Sequence, residues 1–162
     1  FTSGELTAIG GGWYGQEKVA VRVLGEVSMP EILADFLGAY EKADMVTGHY
    51  IRAHDLPVIN ATLLEYGQQP LGRKLTCDTK LDLIPKKHLS GSQENLAAAL
   101  GIKAPKVTMN NHEWREANRL TPAGLRLTKA RVVGDVKQHM ALRTRMLELS
   151  LLRPPKVWPA HE

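Results

Sequence analysis

The feature that most constrains the fold is a change of apolar period between residues 19 and 40. Val19, Val21 and Val23 alternate with other residues, which marks one face of a strand. Ile32, Leu33, Phe36, Leu37 and Tyr40 then recur at helical spacing and form one apolar stripe. A chain that passes from period two to period 3.6 within one short stretch reads as an α/β chain.

The same reasoning orders the rest. Leu6–Trp13 and Lys18–Leu24 are apolar segments around a Tyr14–Glu17 turn and predict an antiparallel hairpin. Ser28 is placed to cap a helix from about Pro30 to Lys42. Met45-Val46-Thr47 is a short strand. Asp55 stands at the cap position of a helix from Leu56 to Tyr66 that stops at Gly67. Leu75–Thr79 is another strand. Ser92 opens a short helix through Leu96, Ala99 and Leu100, closed by Gly101. Thr121-Pro122 begins a helical stretch to about Leu152, with a break expected near Gly134. Gly10-Gly11-Gly12 lacks the Lys-Ser/Thr of a phosphate loop and the spacing of a dinucleotide fingerprint. A strand bulge or close backbone packing is its reading.

A length of 162 residues with 43% hydrophobic and 23% charged residues suits one domain with a real core. The expected boundaries are 1–152 for the domain and 153–162 for a proline-rich tail, either an extended strap or free. A net charge of +4 and a pI near 9.3 are compatible with nucleic acid without requiring it. Cys77, the single cysteine, reads as a buried inert thiol and excludes an intrachain disulfide. No apolar run reaches membrane-spanning length and no signal peptide opens the chain, so a cytoplasmic location is expected. The start at Phe1 reads as truncated, processed or partly observed.

Two phrases carry candidate chemistry. In Thr47-Gly48-His49-Tyr50-Ile51-Arg52-Ala53-His54-Asp55-Leu56-Pro57 an apolar strand ends at Gly48-His49 and an aspartate stands at the mouth of a helix. In Arg131-Val132-Val133-Gly134-Asp135-Val136 an aspartate lies inside the late helix. From about Leu6 to about Leu149 this order resembles the DnaQ-like, or DEDD, 3′–5′ exonucleases of the RNase H-like superfamily, in the style of small phage and bacterial members. The resemblance implies an RNase H-like mixed sheet flanked by helices. It implies hydrolysis of phosphodiester bonds at DNA or RNA 3′ ends, single-stranded for preference. The cofactors it implies are two Mg²⁺ or Mn²⁺, with Asp55 and Asp135 as catalytic metal ligands.

The family's first motif, an Asp-x-Glu on the first strand, has no counterpart. Leu6 onward reads as the family's second strand, Glu5 is a poor substitute, and the first strand is expected upstream. The family's general base falls at Ala130 or Arg131, neither of which can deprotonate water. Arg131, Asp135 and His139 share one helical stripe. Arg131 pairs with Asp135 or meets a phosphate; His139 is a substitute base or a packing residue. Where the family usually has Gly-His-Asn this chain has Gly48-His49-Tyr50, and His54 stands where the family has an apolar residue before the aspartate. Asp78 matches an acidic position common in the family and reads as a structural acid or a near neighbour of the metals. His49, His54 and Asp55 lack the supporting ligands of a zinc site. Tyr50 and Trp114 are candidate stacking platforms for an unpaired base. Basic residues gather at Lys86-Lys87-His88, at Lys103 and Lys106, and across Arg126, Lys129, Arg131, Lys137, Arg143 and Arg145. The alternative function is a catalytically degenerate nucleic-acid-binding or assembly module of the same fold.

Overall fold

The structure is a computed structural model and describes residues 6–84, 91–103, 110–118 and 121–160. It is a mixed α/β fold in which two small sheets share their helices. Strands β1 (Ala8–Gly12) and β2 (Val19–Val23) form the expected antiparallel hairpin, with Gly10 opposite Val21. Pairing through the glycine triplet is regular, so there is no bulge. Close packing accounts for two of the three glycines: a side chain at Gly10 would run into Val132 of the last long helix and one at Gly12 into Met140, whereas Gly11 faces open space.

Helix α1 (Met29–Lys42) starts where Ser28 predicts, its hydroxyl accepting from the Glu31 N–H. Met29, Ile32, Leu33 and Tyr40 are its buried face. They form the main core with Ile51, Leu56, Ile59 and Leu63, and with Ile9 and Val46 from two different sheets. Strand β3 (Met45–Gly48) runs parallel to β4 (Lys74–Asp78), with α2 (Leu56–Glu65) in the crossover. Ser92 caps α3 (Gln93–Ala99) through the Asn95 N–H, and α4 (Asn111–Asn118) follows. Helix α5 (Pro122–Glu148) is capped by Thr121. It runs unbroken through Gly134, which is buried, so the expected break does not occur. Of the two readings of the tail, the extended one holds: Lys156–Trp158 is β5, paired antiparallel with β4.

The sheet orders are β1-β2 and β3-β4-β5. Among the described residues β1 and β3 each have one hydrogen-bonded neighbour and one open edge. Both strands pack against the core that α1 contributes to, through Ile9 and Val46. Both also meet one turn of α5: Met140 reaches Gly12 and His139 reaches Thr47. Side chains from two shared helices, not a backbone ladder, therefore join the sheets. No helix among the described residues is long and apolar enough to cross a membrane.

Candidate functional site

The carboxyl ends of β3 and β4 gather most of the polar residues singled out by the sequence. The chain leaves β3 through Gly48, where a side chain would collide with Ile51. Tyr50 then takes a left-handed backbone, φ 62°. This conformation is uncommon outside glycine and asparagine and is over-represented at functional sites. It opens a five-residue π-turn, Ile51–Asp55, closed by Leu56 N–H donating to the Ile51 carbonyl. Single π-turns joined to an α-helix, as this one is to α2, are frequent at functional sites.

Asp55 is the last residue of that turn. Its backbone is already helical and its side chain makes no capping bond, which corrects the expectation that it caps α2. Burial pushes its carboxyl up to about 6, with nearby Asp78 acting the same way against an opposing contribution from His54.

Asp78 is the clamp that holds the turn. Its Oδ1 accepts from the N–H groups of Tyr50, Lys80 and Leu81 at 2.9, 3.0 and 3.0 Å, and its Oδ2 from Arg52 N–H at 3.2 Å. It is fully buried. A carboxylate with that many donors is a structural acid, as one of the two sequence readings has it. Arg52 completes the clamp. Its guanidinium forks onto buried Asp82 at 2.8 and 2.5 Å and donates to Thr76 Oγ1 at 2.8 Å. Asp82 Oδ2 in turn accepts from the Asp78 N–H at 3.0 Å. Sequence reasoning missed Arg52, Thr76 and Asp82. The signal available was an arginine directly after apolar Ile51 and an aspartate four residues beyond Asp78.

The histidines enter from two sides. His49 Nε2 lies 2.6 Å from the Gly91 carbonyl oxygen and its Nδ1 lies 2.8 Å from Thr79 Oγ1. His139 of α5 is buried, with Nε2 3.0 Å from Thr47 Oγ1 and Nδ1 3.4 Å from Thr79 Oγ1. Burial pushes its pKa down to about 4, with help from His49 and Arg143 and against Asp78. A base that weak and that enclosed does not take a proton from water near neutral pH. His139 therefore belongs to the polar core. Asp135 lies one turn before it, half-buried, on a segment fixed by Gln93, whose amide donates to the Asp135 carbonyl and to Gln138 Oε1, both at 3.0 Å. Arg131 is half-buried one turn earlier still. The partly exposed Tyr50 ring carries the Lys80 ammonium over its face at 3.9 Å from the centroid.

The structure thus brings Asp55, Asp78, His49, Tyr50 and His139 around one end of the parallel strand pair. It puts Asp135 and Arg131 on the helix that packs there. Among the described residues no three His, Cys, Asp or Glu side chains converge as a metal-binding group. Lys86-Lys87-His88, Lys106, Glu5 and the Trp114 ring lie outside what the structure describes. Comparison with protein-family models, with curated proteins and with solved structures finds no match for this chain.

Proposed function

We propose that this chain is the scaffold of a metal-dependent 3′–5′ exonuclease of the DEDD type, with Asp55 and Asp135 as two of its carboxylate ligands. The observation that carries the reading is the setting of Asp55. It is a desolvated carboxylate in a π-turn at the carboxyl ends of two parallel strands. Ligands in open α/β sheets bind at that end of the strands. Carboxylates perturbed by burial in such places are site candidates.

The described carboxylates do not by themselves fit two metals. Asp78 already accepts four backbone N–H groups, and Asp55 and Asp135 alone supply too few oxygens for a pair of hard cations. The reading therefore requires carboxylates from a further strand, in the same polypeptide or a partner. The open edges of β1 and β3, spanned by α1 and α5, are where such a strand adds.

The test is hydrolysis by protein expressed from its whole reading frame. With Mg²⁺ or Mn²⁺, single-stranded oligonucleotides labelled at the 5′ end are expected to shorten from the 3′ end. Loss of partners around metal ligands typically costs 10–100-fold, so Asp55→Asn and Asp135→Asn are each expected to cost more than about 100-fold. No shortening with either metal, together with retained oligonucleotide binding, would sink the enzyme. It would favour the second reading, a degenerate binding or assembly module. The residues at the family's base positions, Ala130 and Arg131, favour that reading.

A further inference from the structure

Two histidines and two threonines form an unbroken hydrogen-bonded chain from the surface to the main chain. Thr47 Oγ1, His139 Nε2, His139 Nδ1, Thr79 Oγ1, His49 Nδ1, His49 Nε2 and the Gly91 carbonyl follow one another, with gaps between residues of 3.0, 3.4, 2.8 and 2.6 Å. Thr79 is fully buried, His139 is buried and Thr47 is exposed.

The Gly91 end fixes the direction. A carbonyl oxygen only accepts, so His49 Nε2 carries a proton. With His49 neutral, its Nδ1 is a lone pair and Thr79 must donate to it. That bond at 2.8 Å wins the Thr79 proton over the Gly48 carbonyl at 3.4 Å. Thr79 then offers His139 only lone pairs, so His139 Nδ1 carries a proton. His139 is neutral, since burial holds its pKa down to about 4. Its Nε2 is therefore a lone pair, and Thr47 donates to it. The single hydroxyl proton of Thr47 points inward, and its two lone pairs are left to accept.

We propose that Thr47 is an outward-facing hydroxyl held as a hydrogen-bond acceptor by this chain, and that a proton arriving on His49 reverses the chain and turns Thr47 into a donor. In the neutral form Thr47 suits a group that donates, such as water or a sugar hydroxyl, and turns away phosphate and carboxylate oxygens.

The reversal balances. A solvent proton binds Thr47, whose own proton passes to His139 Nε2. The His139 Nδ1 proton passes to Thr79, and the Thr79 proton passes to His49 Nδ1. Every hydroxyl keeps one proton, His139 stays neutral with its tautomer exchanged, and the added charge rests on His49. The released Thr79 proton prefers His139 because the Gly48 carbonyl already accepts the Thr79 N–H at 3.0 Å. Among the described residues the charged groups near the chain include Asp78 on β4, Arg143 on α5, Asp135 one turn before His139, and Lys80, whose stem lies against Gly91. The chain is independent of the nuclease reading.

The test is nitrogen-15 NMR of the imidazole rings from about pH 8 to about pH 5, the range in which histidines titrate. Above the His49 titration, His139 is expected as a neutral ring protonated at Nδ1. Below it, His139 is expected still neutral but protonated at Nε2, with the change at the midpoint of His49. Thr79→Ser keeps the coupling. Thr79→Val, shown to be folded by its amide spectrum, abolishes it. An Nε2-protonated His139 at high pH, or a His139 tautomer unchanged across the His49 titration, overturns the proposal. So does coupling that survives in Thr79→Val. If that variant does not fold, Thr47→Val tests the other end. It removes the donor to Nε2 and is expected to erase the preference for Nδ1, whereas an unchanged preference overturns the proposal.

Discussion

The guanidinium of Arg52 grips the carboxylate of Asp82 with two nitrogens, at 2.8 and 2.5 Å, inside a pocket where Asp82 has no exposure. The pair ties the π-turn that carries Asp55 to the segment after β4. Removing one member leaves the other as a buried charge. Arg52→Met is expected to cost about 3–5 kcal/mol, read by urea denaturation. Arg52→Lys loses the fork and is expected to recover only part of that. A loss below about 1 kcal/mol for Arg52→Met would show that water reaches the pair.

Asp78 is expected to act on order rather than chemistry. In Asp78→Ala four backbone donors lose their acceptor, so the Tyr50 and Arg52 amides should exchange with solvent much faster than in the native protein. Asp78→Asn keeps an oxygen and is expected to fall between the two. Hydrogen exchange at these amides is the measurement, and unchanged protection in Asp78→Ala would count against the clamp.

Two buried groups are expected to work against each other in acid. The Asp55 carboxyl titrates near 6 in the fold and near 3.8 unfolded, so the native state binds its proton first and gains stability as pH falls through that window. His139 titrates near 4 in the fold and near 6.5 unfolded, so the unfolded state binds its proton first. Stability from His139 is complete above 6.5 and is lost as pH falls towards 4. Each contribution is on the order of 3 kcal/mol. Native stability should therefore vary little between about pH 6 and 4 on their account. Asp55→Asn should expose a steep acid loss there, and denaturation curves at several pH values check it. Parallel pH profiles for the native protein and Asp55→Asn would contradict the assignment.

Gly48→Ala is expected to disturb the turn beyond its size, because the added methyl meets Ile51. Overpacking of this kind costs about 1–3 kcal/mol. Gly38, with open space at its Cβ position, is the control and is expected to tolerate alanine. Thermal melting of the two variants separates them.

Arg131→Ala is expected to raise KM for an oligonucleotide while leaving metal dependence unchanged if the guanidinium meets phosphate. A change in the Mn²⁺ concentration needed for half activity would instead tie Arg131 to Asp135. Steady-state kinetics at varied metal and varied oligonucleotide distinguish the two.

Much of the fold was legible because its signals are local. Ser28, Ser92 and Thr121 cap helices within three residues of themselves, and alternation sets the hairpin. What escaped reading depends on partners far along the chain. Arg52 meets Asp82 thirty residues on, and His139 meets Thr47 ninety-two residues back. No periodicity encodes such pairs. Gly134 read as a break because glycine weakens an isolated helix, but packing of α5 across both sheets overrides that local cost. The left-handed Tyr50 was equally invisible, since nothing in its side chain announces the conformation that the Asp78 clamp imposes. Asp55 was found as a candidate by its phrase, but its desolvation belongs to the assembled turn.

Strand β4 has one neighbour from about thirty residues earlier and another from about eighty residues later, where Thr76 donates to the Lys156 carbonyl. During synthesis β4 is therefore available well before β5 exists. Until then the flank that holds Thr76 and half-exposed Leu75 presents unpaired backbone to whatever is nearby. Closing so long a loop is slow, so that flank is the interval in which this chain is most open to wrong pairing.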